Sequence, residues 1–134
     1  MPGYSGTPLP KKLGIKDAFR VSLIDAPPEV ITELTPSLKN CKIAKDANFP
    51  LDFVMLFTKS STALKREFER VAKNLAPVGM LWVSWPKKTS GVPADLNENI
   101  VREIGLAAGL VDVKVCAVTD VWSGLKFVRR LKDR

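Results

Sequence analysis

The fold is decided by residues 52–85, DFVMLFTKSSTALKREFERVAKNLAPVGMLWVSW. Residues 52–58, DFVMLFT, form the continuous apolar run expected of a strand covered on both faces. Ser60 and Ser61 then offer a helix N-cap. Leu64, Phe68, Val71 and Leu75 recur at helical spacing, with Lys65, Arg66, Glu69 and Lys73 turned outward. Pro77 and Gly79 are expected to end that helix and release the chain into 80–85, MLWVSW, a second buried strand. Strand, helix and strand in this order make a parallel crossover unit.

The same alternation extends in both directions. Residues 19–24, FRVSLI, read as a first strand, β-branched and apolar. It runs into Asp25-Ala26-Pro27-Pro28, and Pro28 is suited to start a short helix that stops before Pro36. A brief strand is expected near 41–44. Downstream, Asp95 with Glu98 three residues on has the form of a capping box, and Leu96, Ile100, Ile104 and Ala107 or Ala108 make an inward stripe. Gly109 is placed to close that helix. Val111, Val113, Val115 and Ala117 alternate with polar residues, and after a turn at 119–124 the sequence LKFVR (125–129) alternates again, so the two are expected to pair as a hairpin. The expected architecture is a Rossmann-like three-layer α/β/α sandwich, its sheet mostly parallel with a C-terminal antiparallel hairpin. One domain fills residues 1–134, with 1–18 an irregular, Pro- and Gly-rich arm and 19–134 the core.

Composition excludes several chemistries. The chain has no histidine, which removes Ser-His-Asp and Cys-His nucleophiles and histidine metal sites. Its two cysteines, Cys41 and Cys116, are too few for a structural zinc site and read as reduced thiols. No apolar run is long enough to span a bilayer and no leader pattern is visible, so a cytoplasmic protein without a membrane partner is expected. The net charge of +7 favours polyanionic partners or simply solubility. The basic ends, with Lys11, Lys12, Lys16 and Arg20 at one and Lys126, Arg129, Arg130, Lys132 and Arg134 at the other, read as solvated termini rather than nucleic-acid arms.

Three pieces, DFVMLF (52–57), LAPVG (75–79) and the closing GLVDVKVCAV…SGLKFVRR, resemble the later half of class I methyltransferase-like Rossmann domains. There, a strand opening with Asp precedes a helix ending in a Leu-x-Pro-x-Gly turn, and a last helix ending in Gly feeds a hairpin. The resemblance spans residues 19–130. The stretches 3–16 (GYSGTPLPKKLGIK), 85–96 (WPKKTSGVPADL) and 109–130 are more specifically similar to a small bacterial family of uncharacterised proteins, a domain of unknown function. That likeness implies the fold and a cytoplasmic location and brings no reaction with it. The departure from methyltransferases lies in the turn after the first strand, where a glycine-rich segment normally lets the backbone approach the cofactor. Asp25-Ala26-Pro27-Pro28 has no glycine and two residues without an N–H. Asp46, after the second strand, is the position that would imitate the ribose-binding acid of such folds, against its plain reading as a loop aspartate. No cofactor and no S-adenosylmethionine binding in the usual geometry are expected.

Ligands of open α/β sheets bind beyond the carboxyl ends of the strands. The loops at 25–28, 58–61 and 85–95 leave those ends, and WPKKTSGVPAD (85–95) is the longest of them. Lys87 and Lys88 bring charge, Thr89 and Ser90 hydroxyls, and Gly91 permits close backbone approach. Its bland reading is a solvated loop stiffened by Pro86 and Pro93. The N-terminal arm carries related elements, Ser5-Gly6-Thr7-Pro8 and Pro10-Lys11-Lys12, and is expected to pack on the same rim, bringing Tyr4, Lys11 and Lys12 toward Trp85 and Trp122. Those two tryptophans are candidates for ring stacking, while Trp82 reads as core. Asp25, Lys87, Lys88, Asp95 and Asp120 are the available acid–base groups, and no pair of them has a spacing that assigns catalysis. The expected function is a binding or interaction domain with a basic, anion-friendly rim, for a phosphorylated small molecule or an acidic protein surface. The alternative is a divergent transferase related to methyltransferases.

Overall fold

The computed structural model describes residues 7–44 and 50–134. Its elements are α1 (Leu9–Leu13), β1 (Arg20–Ile24), α2 (Pro28–Leu38), β2 (Lys42–Ile43), β3 (Leu51–Phe57), α3 (Ser61–Ala72), β4 (Leu75–Pro86), α4 (Glu98–Ala107), β5 (Leu110–Ala117) and β6 (Trp122–Arg129), with single 3-10 turns at Lys88–Ser90 and Leu131–Asp133. One sheet has the strand order β2-β1-β3-β4-β6-β5. The first four strands are parallel, and β6 lies antiparallel between β4 and β5.

Alternation along the central strands builds the two apolar layers. Val54 and Leu56 of β3, with Leu81, Val83 and Trp85 of β4, pack against Leu64, Phe68 and Val71 of α3 and Val101 and Ile104 of α4. Phe53, Met55 and Phe57, with Met80 and Trp82, face Leu9 and Leu13 of α1 and Val30 and Leu34 of α2. Both faces of the sheet are thus covered, as the unbroken apolar runs require, and the α/β/α sandwich with its antiparallel end is the observed fold.

Several boundaries differ from the sequence reading. The arm is not wholly irregular: Leu9 and Leu13, one helical turn apart, are buried together, and Gly14 closes α1 at φ +87° by donating to the Lys11 and Pro10 carbonyls. Helix α2 passes through Pro36 and ends at Leu38, because Leu34 and Leu38 lie on the same apolar layer and hold the last turn. Helix α3 ends at Ala72, and 75–79 open β4 instead of terminating the helix. Gly79 belongs there for a steric reason: a Cβ would stand 2.5 Å from the Leu51 carbonyl oxygen, where the β3–β4 register shifts.

Helix α4 is capped by Asn97, whose Oδ1 accepts from the Ile100 N–H at 2.9 Å, so Asp95 is not its cap. Its buried face is accordingly Val101, Ile104 and Gly105, with Ile100 half-buried. Gly109 does close it, at φ +94°. In β5 the alternation breaks at a register shift between Asp112 and Lys114, leaving Val113 54% exposed on the outer strand. Strand β6 starts at Trp122, earlier than expected, because the 118–122 turn is tight: Val118 and Thr119 N–H both donate to the Trp122 carbonyl. Arg129 is no solvated tail residue. Its guanidinium donates to the Leu75 and Ala72 carbonyls and caps the end of α3.

Candidate functional site

Strands β1, β3 and β4 deliver their carboxyl ends to one rim, together with the 118–122 turn of the hairpin. The Lys87 N–H donates to the Val121 carbonyl at 2.7 Å, and the Thr58 N–H to the Ser84 carbonyl at 3.0 Å, so neighbouring exits are stitched together. Beyond Pro86 the chain makes the 3-10 turn at Lys88–Ser90. There the Ser90 hydroxyl donates to the Lys87 carbonyl at 2.6 Å and accepts from the Val92 N–H at 3.2 Å. Gly91 follows at φ +79°, with nothing within 4 Å of where a Cβ would stand.

The loop then crosses to α3. The Asp95 N–H donates to the Lys59 carbonyl at 3.1 Å, and its carboxylate accepts from the Ser61 N–H at 2.7 Å and the Ser61 hydroxyl at 3.2 Å. This carboxylate sits on the positive end of α3, beside the Ser60 hydroxyl that accepts from the Ala63 N–H. Between the turn, the clasp and the start of α4 lies a groove of about 530 Å³ lined by Trp85, Pro86, Lys88, 91–95, Leu96 and Asn97. Trp85 and Leu96 are almost fully buried and make its apolar floor, while Lys88 is exposed at its lip.

The residues singled out in the sequence divide accordingly. Lys87, Lys88, Thr89, Ser90 and Gly91 form one turn, and Trp85 shares its groove. Trp122 does not join them. It stands on the opposite face of the sheet, with its ring edge-on to Phe57 at 5.2 Å between centroids. The expected approach of Trp85 and Trp122 is therefore wrong, because side chains of residues adjacent along β4 point to opposite faces. Lys12 lies at the far edge, its ammonium donating to the Ala117 carbonyl at 3.1 Å, and Lys11 is exposed on α1. Tyr4, Ser5, Gly6 and Asp46 lie outside the described residues. Trp82 is core, and its indole N–H donates to the Leu13 carbonyl at 2.9 Å.

Asp25 is exposed at the end of β1 and holds φ +56°, a left-handed conformation that non-glycine residues seldom adopt. Asp120 flanks a separate notch of about 280 Å³ with Glu29, Glu33, Thr119 and Val121. A third groove of about 610 Å³ opens at the other end of the sheet, between α3 and α4. Among the described residues no group of three or more Cys, Asp or Glu side chains is arranged to hold a metal, and no helix is long and apolar enough to cross a membrane. Cys41 and Cys116 are free thiols, and burial pushes both upward from their usual acidity. Sequence reasoning missed the Asp95–Ser61 clasp. Its signal was there in the two serines beside a strand end, but the partner lies 34 residues away.

Solved structures similar to this chain share one fold. A SAM-dependent methyltransferase from Aquifex aeolicus matches with a TM-score of 0.56 at 17% identity, over 87% of this chain and 85% of its own. Magnesium protoporphyrin IX methyltransferase from Synechocystis, with bound SAH, matches with a TM-score of 0.58 at 11% identity, over 91% and 78%. The fibrillarin pre-rRNA processing protein of Methanococcus jannaschii matches with a TM-score of 0.55 at 13% identity, over 95% and 70%. No protein-family model and no curated protein matches the chain. At these identities the likeness shows the methyltransferase-like Rossmann fold.

The turn after β1 differs from the glycine-rich turn expected of such folds. Pro27 and Pro28 have no N–H, and the Val30 and Ile31 N–H groups both donate to the Pro27 carbonyl. Glu29 adds a negative charge to the first turn of α2. The turn thus offers fewer backbone N–H donors to a carboxylate or phosphate than a glycine-rich one would.

Proposed function

We propose that this protein is a binding protein on a methyltransferase-like scaffold, which takes an anionic small molecule, a phosphorylated one by preference, in the groove of the 85–97 loop. The observation that carries the reading is the groove itself: an apolar floor of Trp85 and Leu96 with Lys88 at its lip and Lys87 next to it in the chain. Such a site recognises a ligand with an apolar body and a charged group. The carboxylate lining this groove, Asp95, already spends its charge on the N-terminus of α3, and that lowers its opposition to an incoming anion. Calorimetric titration with adenosine monophosphate tests it. Saturable binding that disappears in the Lys87→Ala/Lys88→Ala double variant is the expected result. Identical heats from the variant and the parent chain overturn the assignment.

A second reading, a divergent transferase, is favoured by the fold shared with the methyltransferases described above. It requires the donor to bind away from the Asp25–Pro28 turn. A titration with S-adenosylmethionine at millimolar concentration that gives no saturable heat removes this reading and leaves the first intact.

A further inference from the structure

Strands β4 and β5 begin, and β6 ends, at the rim opposite the 85–97 loop, and this rim carries both an apolar groove and an apolar knob. Helices α3 and α4 share one apolar layer through Phe68, Val71, Val101 and Ile104, and at their C-terminal ends stand the small residues Ala72 and Ala107. The groove of about 610 Å³ between them has the buried Phe68, Ile104 and Leu110 beneath it, and Lys65, Glu69 and Lys73 of α3 at its edge. The knob is Leu131, 80% exposed, with Val78 of β4 at 78%; among the described residues these are the two most exposed large hydrophobic side chains. Met80, two residues after Val78, stands opposite Val128, three before Leu131, so both lie at the same strand ends.

Polar contacts hold Leu131 in the open. It begins the 3-10 turn Leu131–Asp133, in which the Asp133 N–H donates to the Arg130 carbonyl at 2.8 Å, and Arg134 Nε donates to the Arg129 carbonyl at 3.0 Å. Arg129 is itself fixed to the Ala72 and Leu75 carbonyls, and it lines the groove together with Asp133. The turn therefore stands at the mouth of the groove, yet its leucine does not enter. An apolar side chain left in water beside an apolar groove forgoes transfer free energy that association recovers. Charges of both signs surround it. Among the described residues, Lys65, Glu69, Lys73, Lys132 and Asp133 form no ion pair within the chain.

We infer that this rim is the interface for a second copy of the chain, related by a two-fold axis, with Leu131 of each copy seated in the groove of the other. A knob and a groove side by side on one surface are what a two-fold axis requires, because the same patch must complement itself. Charge complementarity supports the same occupant. Leu131 brings Lys132 and Asp133 with it, and the groove edge offers Glu69 and Lys73, opposite in sign to each. An unrelated protein with an apolar knob fills the groove and leaves Leu131 and Val78 in water, whereas a second copy fills the groove and covers the knob in one contact. The rim lies at the far end of the sheet from the 85–97 groove, and neither assignment depends on the other.

Sedimentation equilibrium on the whole chain, from micromolar to millimolar concentration, tests the inference. A reversible dimer is expected for the parent. Leu131→Asp removes the knob and Ala107→Trp fills the groove, and each is expected to weaken the dimer at least about tenfold. Both positions are exposed in the single chain, so both variants are expected to keep the parent's circular dichroism, which separates loss of pairing from loss of fold. Val113→Asp, on the outer strand β5, is expected to leave the dimer unchanged. A parent chain that stays monomeric at millimolar concentration, or a dimer that either rim variant leaves intact, overturns the interface. A dimer lost in Val113→Asp and kept in the rim variants overturns it in favour of pairing between sheet edges.

Discussion

Asp95 and Ser61 are joined twice, the carboxylate accepting from the serine N–H at 2.7 Å and from its hydroxyl at 3.2 Å. The pair ties the end of the longest rim loop to the first turn of the neighbouring helix. The loop thus closes over a groove instead of extending into solvent. It also places a fixed negative charge where a helix N-terminus would otherwise attract an anion. Asp95→Ala is expected to destabilise the chain by about 1 kcal/mol, as loss of a helix N-cap does, read as a lower denaturation midpoint. Asp95→Asn, which still accepts one hydrogen bond, is expected to recover part of it.

Gly105 packs directly on Phe127, so a Cβ at 105 would fall inside the aromatic ring. Phe127 is itself held edge-on against Phe68 at 5.2 Å between centroids and has no room to retreat. Gly105→Ala, which raises helix propensity at an exposed site, is therefore expected to destabilise here, by about 1–3 kcal/mol in urea unfolding.

Trp82→Phe removes the donor to the Leu13 carbonyl from a fully buried position. The carbonyl is left without that partner, and α1 loses one of its polar anchors to the sheet. A loss of about 1–3 kcal/mol is expected, with amide exchange in 9–13 accelerated more than in α3.

Lys126 provides the pH test. Its amine is pushed below the ordinary 10.5, so the folded chain releases that proton at a lower pH than the unfolded chain. The unfolded state binds more protons in this window, and stability is expected to rise as pH climbs from the lowered value toward 10.5. Lys126→Met is expected to remove that rise, measured as the urea midpoint against pH. An unchanged slope in the variant means that Lys126 does not carry the rise.

The strands and helices were largely legible because their patterns are local. DFVMLFT and MLWVSW could be read as doubly covered strands, and Ser60 as a cap, from residues a few positions apart. Element ends were less legible, since they depend on distant partners. Asp95 has the spacing of a cap for α4, yet it serves α3, because Ser61 in the first turn of α3 offers it an N–H without an intrahelical partner. Pro36 is a helix breaker by its local chemistry, but burial of Leu34 and Leu38 on the sheet carries α2 past it. Trp122 reads from the sequence as a neighbour of Trp85 and lies instead on the opposite face, because the face a strand residue takes depends on register.

The sequence by itself determined the layered α/β class, the absence of histidine chemistry and the lack of a glycine turn after the first strand. Those follow from residue type and short-range period. Tertiary structure decided which charges meet. Lys12 lies 102 residues from Lys114, and only the docking of α1 against the hairpin brings the Lys114 ammonium to the Lys12 carbonyl. Polar interactions act through space and not along the chain, so Arg129, in a basic end that reads as solvated tail, closes the end of α3 once the chain is folded.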